Sequence, residues 1–320
     1  MSFDHETTTD DVLDGMDLSG MRFVITGTSA GLGEEATRSL AAHGASVVML
    51  ARDATANVEA AARVRESVPD AQISTDVVDL ADLDSVRSCG RRIIESGAAV
   101  DVLINNAGVM ACPFGRTANG FEMQFGTNHL GHFELTRTMM PALLAAEQPR
   151  VVCLTSSAHD ISDVDLDDPN FEHAPYDAWT SYGQSKSANA LHAVGLAQRH
   201  VATELLAFSV HPGAIRTSLG RHLDDELMNQ AIERGKQRAA AHPEATTGRR
   251  FKTVAQGAAT EVWAATASEL DGHHGAYLAD CGPGVQGANP GENGFRSYIT
   301  DVDSANRLWE LSERLVDAVD

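Results

Sequence analysis

Lysine is nearly absent from this chain of 320 residues: Lys186, Lys236 and Lys252 are the only three. Lys+Arg total 24 against 45 Asp+Glu, a formal charge of -21 that would repel nucleic acid and anionic membrane surfaces. Cysteine is scarce as well. Cys89, Cys112, Cys153 and Cys281 lie far apart with no C-x-x-C spacing, which excludes a zinc ribbon or dithiol redox motif and fits a reduced, cytoplasmic setting. No apolar run reaches the roughly 18 residues that a membrane helix needs. Met1 to Ser19 offers neither a basic nor an apolar export region, so a cytoplasmic protein is expected. The acidic, lysine-poor composition is compatible with a salt-rich cytoplasm and equally with a GC-rich genome.

What is present is a core. Hydrophobic residues make up 43% of the chain, so one domain is expected over 20–320, behind a flexible acidic tail over 1–19. Short apolar runs recur at 22–26, 46–50, 73–78, 100–104, 151–154 and 205–210, with helical patterns between them. Continuous apolarity suits strands buried on both faces, and the alternation predicts an α/β fold, a doubly wound parallel sheet of about seven strands flanked by helices. Two segments stand outside the alternation: an Asp- and Pro-rich loop over 160–179 with Phe171, Tyr176 and Trp179, and a charged helical insertion over 218–250. Together with Met110 and Cys112 they are expected to form a substrate pocket, the insertion acting as a small helical lid.

Thr26-Gly27-Thr28-Ser29-Ala30-Gly31-Leu32-Gly33 follows the first apolar run and opens the first helical pattern. Glycines there let the backbone turn tightly and approach a pyrophosphate, whose charge lies against a helix N-terminus. The next strand ends Leu50-Ala51-Arg52-Asp53. A carboxylate at that tip would hold the ribose hydroxyl of NAD, whereas an arginine accepts the 2′-phosphate of NADP. Ala51 takes the carboxylate's place and Arg52 follows, so NADP(H) is preferred, while Asp53 leaves NAD open.

Tyr182 and Lys186 are four residues apart, one helical turn, just downstream of Thr155-Ser156-Ser157. An ammonium beside a phenol favours the phenolate, making Tyr182 a general acid/base candidate. Half-ionising an ordinary tyrosine at pH 7 requires about three pKa units, or about 4 kcal/mol. His129, His132, His159 and His211 show no metal-binding spacing and read as satisfied or capping residues; no metal is expected.

Thr26-Gly27, Gly31, Gly33, Asp79-Leu80, Asn105-Asn106-Ala107-Gly108, Asn128, Ser156, Tyr182, Lys186 and Pro212-Gly213 with Thr217 span about 190 residues. In this order the set resembles the short-chain dehydrogenase/reductase family of the classical type, which implies a single Rossmann-type domain. Asn128-His129-Leu130-Gly131-His132-Phe133, Ser157-Ala158-His159 and Val210-His211-Pro212-Gly213 resemble its retinol dehydrogenase/WW-domain oxidoreductase-like branch. Two departures are Cys153, where the branch usually has Asn, and the lack of the N-terminal membrane anchor of the vertebrate retinal enzymes.

The resemblance implies roles. Tyr182 exchanges the proton with the substrate oxygen; Lys186 supports the phenolate and holds the nicotinamide ribose; Ser156, rather than its neighbour Ser157, hydrogen-bonds the substrate oxygen; and Asn128 binds a water linking Lys186 to solvent. Gly27, Thr28, Ser29, Gly31, Leu32 and Gly33 hold the pyrophosphate. Asp79 and Leu80 flank the adenine, Asn106, Ala107 and Gly108 line the ribose, and Pro212, Gly213, Ile215 and Thr217 hold the carboxamide side. The expected function is NAD(P)(H)-dependent hydride transfer between nicotinamide and a small carbonyl or alcohol substrate, without metal. A carrier-bound or polycyclic ketone fits equally. A homodimer or homotetramer through the Asn128 and Tyr182 helices is the family habit, although the insertions here could block one face. The rival reading is a non-catalytic NADP(H)-binding sensor or scaffold on the same fold.

Overall fold

A computed structural model describes residues 3–241, 251–290 and 292–319. The described residues form twelve strands in chain order: β1 (Arg22–Thr26), β2 (Ser46–Ala51), β3 (Gln72–Val77), β4 (Val102–Asn105), β5 (Arg150–Leu154), β6 (Leu206–His211), β7 (Ala214–Ile215), β8 (Phe251–Lys252), β9 (Tyr277–Ala279), β10 (Gly282–Pro283), β11 (Val285–Gln286) and β12 (Gly294–Phe295). Eight of them form the central sheet in the order β10-β9-β6-β5-β4-β1-β2-β3. All its pairings are parallel except β9 with β10. The expected count of about seven is thus exceeded by a two-residue edge strand, where Pro283 is tolerated because an edge needs no second ladder.

β1, β2, β4, β5 and β6 are buried along nearly their whole length, as their unbroken apolarity requires. β3 differs. It sits at the other edge, and four of its six residues are exposed, so its run was not the doubly covered strand that its apolar pattern suggested.

The helices are α1 (Thr9–Leu13), α2 (Leu32–Ala42), α3 (Ala54–Ser67), α4 (Leu83–Glu95), α5 (Met123–Phe125), α6 (Gly131–Leu143), α7 (Ala178–Arg199), α8 (Asp225–Ala241), α9 (Val254–Thr266) and α10 (Val302–Asp317). On one face of the sheet Leu40 of α2, Ala60 of α3 and Val262 of α9 pack with Phe23 and Ile25 of β1. On the other, Val86 of α4, Leu135 and Met139 of α6 and Ala193 of α7 pack with Val24 and Leu103. Leu308 and Val316 of α10 close over α6 and α7 through Phe133 and Leu191. Asp53, Asp82 and Asp177 cap α3, α4 and α7 by accepting first-turn N–H groups, which fixes where each helix leaves the C-terminal edge.

Of the segment expected as a tail, residues 3–19 are described, and they are not free. Thr8 starts α1 with a capping box, and Val12, Leu13 and Leu18 join the core beneath α2 and α9. Thr9 Oγ1 donates to Glu35 Oε1 at 2.5 Å, and Arg38 pairs with Asp10 at 2.7 Å. The acidic average of the segment conceals a short apolar stripe, and burial of that stripe outweighs the solubility of its other residues.

The segment expected as a lid begins as a 3-10 turn, Ser218–His222, and continues as α8. Its remaining stretch, 242–250, lies outside the described residues. β7 and β8 pair in parallel across its base, Ala214 with Phe251 and Ile215 with Lys252.

Candidate active site

The turn between β1 and α2 is built to receive an anion. Gly27 N donates to Leu50 O at 2.7 Å, anchoring the turn on β2. Gly31 precedes α2 at φ 67°, a left-handed conformation that favours glycine, and carries no side-chain cap, so the first-turn N–H groups are free for a ligand. A Cβ at Gly33 would meet Gly27 O and Asn106 Nδ2, both at 2.6 Å. Glu34 and Glu35 in that first turn would repel a phosphate, but each is gripped by two arginine nitrogens at 2.8 Å, from Arg63 and Arg38 respectively. This cradle fits a pyrophosphate.

Beside it, Thr28 Oγ1 donates to Asn57 Oδ1 at 2.7 Å, and Asn57 Nδ2 reaches Met49 O at 2.9 Å. Asn57 was not anticipated; the available signal was a lone amide in the Ala-rich first turn of α3. Ser29 O accepts from Arg63 at 3.2 Å, while Leu32 packs toward Gly257 of α9. Arg52 is exposed at the tip of β2 and has no bonded partner among the described residues. Asp53 is committed to capping α3 through Ala56 N at 3.0 Å.

The loop after β4 meets this turn across the sheet's C-terminal edge. Asn106 Nδ2 donates to Thr26 O at 2.7 Å and Ala107 N to Thr26 Oγ1 at 3.0 Å. Asp79 and Leu80 follow β3 nearby: Asp79 Oδ1 accepts from Ala81 N at 3.0 Å, and Leu80 is buried against Gly131. A Cβ on Gly108 would point between Asn128 Oδ1 at 3.2 Å and Lys186 Nζ at 3.6 Å. Asn128 lies in a π-helical turn, Gly126–Leu130, between α5 and α6. Both of its amide hydrogens are used, Nδ2 donating to Val109 O and Ser185 Oγ, both at 2.9 Å, and Oδ1 accepts from Val109 N at 2.8 Å.

Tyr182 and Lys186 are buried on one face of α7, with Lys186 Nζ 5.7 Å from the phenol ring centre. Nζ donates to Leu154 O at 3.1 Å, and Thr155 Oγ1 donates to Lys186 O at 2.7 Å, fixing the lysine beside the end of β5. Ser156 caps a 3-10 turn, Ser157–Asp160, and its hydroxyl acts on Tyr182. Ser157 instead donates its N–H to His211 Nδ1 and gives its carbonyl to Arg238, which separates the two serines. Burial pushes the Tyr182 phenol up to about 12, against a smaller pull from Ser156. Burial also draws Lys186 down to about 8. Both groups are too desolvated for the ammonium alone to favour a phenolate.

Pro212 and Gly213 follow β6. The stem of buried Lys252 packs beneath Gly213, and its Nζ pairs with Asp280 at 2.6 Å. Thr217 lies across the mouth from Gly31, its methyl 3.5 Å from where a Cβ would sit, and Ile215 meets Leu32 over Gly257. Lys252 and Gly257 carried no motif signal, since their role is packing.

Tyr182 packs in an apolar cluster with Ala111, Ala158 and Trp179, against which Met110, Ile161 and, from the 218–250 insertion, Leu223, Leu227 and Ala231 are also packed. Trp179 Nε1 donates to Leu227 O at 3.2 Å. Cys112, Phe171 and Tyr176 stand in a neighbouring group, with Tyr176 donating to Cys112 O at 2.8 Å and stacking edge-on against Phe171. Gln124 ties Tyr176 to Ala111 N, another link no motif announced. His129, His132, His159 and His211 all bond within the protein, and among the described residues no group of three side chains could hold a metal ion.

A model of the family described as short chain dehydrogenase matches residues 22–227. A probable oxidoreductase of Streptomyces antibioticus is 37% identical over 301 residues, covering 92% of this chain and 97% of the relative. Retinol dehydrogenase 14 of Mus musculus is 33% identical over 309 residues, covering 93% and 86%. Among solved structures, an uncharacterized protein from Mycobacterium paratuberculosis superposes with a TM-score of 0.72 at 32% identity, covering 96% of this chain and 97% of that one. A short chain dehydrogenase of Escherichia coli CFT073 complexed with NADPH shares the fold with a TM-score of 0.60 at 21% identity, covering 82% and 97%. The sheet, the glycine cradle and these relatives agree: the chain is an oxidoreductase of the short-chain dehydrogenase family, in its retinol dehydrogenase-like branch.

Proposed function

We propose that the protein is an NADP(H)-preferring reductase of small carbonyl substrates, able to run the reverse alcohol oxidation. One observation carries the reading: Asn128, Ser156, Tyr182 and Lys186, remote in sequence, come together after β4 and β5, with Asn128 Oδ1 and Lys186 Nζ both beside Gly108, Lys186 Nζ 5.7 Å from the Tyr182 ring centre and Ser156 acting on the same phenol. The bound nicotinamide supplies or accepts the hydride. Tyr182 gives its proton to the substrate oxygen in reduction, and a phenol that holds its proton tightly is ready for that direction. Ser156 donates a hydrogen bond to the same oxygen. Lys186 supplies positive charge behind the phenol, and Asn128 holds the loop after β4 against α7.

Arg52 supports NADP(H) as the preferred cofactor, since it is an unpaired cation at the tip of β2 while Asp53 is spent as a helix cap. NAD remains the weaker alternative. The apolar side chains packed around Tyr182 favour a hydrophobic aldehyde or ketone. Four buried thiols support a reducing, cytoplasmic location. Self-association through the Asn128 and Tyr182 helices is disfavoured because α10 already lies over both, through Trp309 on Phe133 and Ser312 on His129 on the Asn128 side and Trp309 on His192 of α7. A pure binder would need the cradle but not the four convergent groups, so turnover is the better reading.

The test is a parallel NADPH and NADH reduction screen over aliphatic, aromatic and polycyclic carbonyls. Reduction is expected with NADPH ahead of NADH, and Tyr182→Phe should lose at least about a hundredfold in kcat. Tight cofactor binding with no turnover of any carbonyl would favour the scaffold reading instead.

A further inference from the structure

His132 stands one turn after Asn128, at the start of α6, and touches two parts of the site at once. Its Nδ1 is 2.8 Å from Asn128 O and its Nε2 is 2.9 Å from Thr26 Oγ1. A carbonyl oxygen can only accept, so the ring proton belongs on Nδ1. Nε2 is then an acceptor, and the Thr26 hydroxyl must donate to it. That leaves a lone pair of Thr26 Oγ1 for Ala107 N, which donates at 3.0 Å. The direction of every bond in the chain is thereby set, from Ala107 through Thr26 and the imidazole to Asn128.

The three residues are essentially without solvent contact, Thr26 and Asn128 at 0% and His132 at 1% exposure, so water cannot replace a missing member. Burial pulls the imidazole down to about 4, keeping it neutral and Nε2 free to accept, with the charge of Lys186 acting in the same sense. Without that acceptor the Thr26 hydrogen would turn toward Ile104 O, now a distant 3.5 Å. Its lone pairs would rotate away from Ala107 N.

We propose that His132 is a positioning residue of the active site, locking the loop after β4 and the π-helical turn of Asn128 to the end of β1 so that cofactor cradle and proton-transfer groups share one frame. The cradle half of this inference stands by itself; the catalytic half rests on the reductase reading above.

The experiment compares His132→Phe, His132→Asn and His132→Gln in the full chain, measuring NADPH Kd by fluorescence, kcat and KM in carbonyl reduction, and Tm. Asn can reach only the near acceptor, Asn128 O, whereas Gln places an amide oxygen toward Thr26. His132→Phe and His132→Asn are expected to weaken NADPH binding about tenfold and lower kcat about as much, the scale of one lost buried hydrogen bond, with His132→Gln recovering most of both. Kd and kcat unchanged in Phe and Asn, or losses that follow Tm with Gln no better than Asn, would overturn the proposal. Should His132→Phe fail to fold, Thr26→Val combined with His132→Asn decides: the pair should bind NADPH no worse than Thr26→Val alone, and additive losses would refute the coupling. If the wild-type chain reduces no carbonyl, the reductase reading fails while the Kd comparison still judges His132.

Discussion

Arg238 of the lid helix holds Asp160 at 3.0 Å and, from the same guanidinium, Ser157 O at 3.2 Å. Lid and serine turn are therefore joined by one side chain, and both partners of the ion pair are mostly buried, at 18% and 13% exposure. Burial would raise the Asp160 carboxyl, but Arg238 and Arg296 outweigh it and hold the group below the usual carboxylate range. Arg238→Ala should loosen the lid, raising KM for the carbonyl about five- to tenfold with kcat little changed. Steady-state kinetics decide this; equal losses in kcat and kcat/KM would place Arg238 in the chemistry instead. Because the Asp160 pKa is depressed, the latch is complete above the ordinary carboxylate pKa and fails as pH falls through the lowered value.

Lys186 sets a second pH limit. Burial lowers it to about 8, so its charge is present below that pH and lost as pH rises through it. The rate of reduction should be flat near neutrality and fall above about pH 8, while alcohol oxidation, which needs the Tyr182 anion, should gain with pH. Profiles of kcat/KM in both directions test this. Lys186→Met should remove the alkaline limb along with most of the activity.

Arg52 offers the cleanest cofactor test because nothing else in the described structure depends on it. Arg52→Asp should shift the ratio of kcat/KM for NADPH over NADH toward NADH by about tenfold or more, with folding unaffected. An unchanged ratio would leave the preference without a residue to explain it.

Glu261 of α9 is wholly buried, and neither carboxylate oxygen has a hydrogen-bond partner among the described residues. Burial raises its pKa to about 8. An acid whose folded pKa exceeds its unfolded one lends stability at low pH and withdraws it as pH rises between the two values. Glu261→Met should therefore stabilise the chain at pH 7 by on the order of 3 kcal/mol, and by much less at pH 5. Thermal melts at both pH values check the sign.

The motifs were legible because their chemistry is local. A glycine turn after an apolar run, Asn106 and Ala107 at a strand end, and Tyr182 and Lys186 one turn apart each declare themselves within a few residues. What escaped depends on neighbours distant in sequence. α1 is buried only because α2 and α9 cover Val12 and Leu13, β9 is three residues long, and the proton affinity of Tyr182 follows from burial that no spacing encodes. His132 was set aside as a capping histidine, half of its role, since only the folded chain brings Thr26 to its other nitrogen.

The pairing of β7 with β8 has a consequence for the history of such a protein. The chain departs at Ile215 and returns at Phe251 side by side, so the entry and exit of the intervening segment are stapled together independently of its length. A segment held in this way can be lengthened, shortened or replaced while the sheet beneath and the ends of its strands stay where they are.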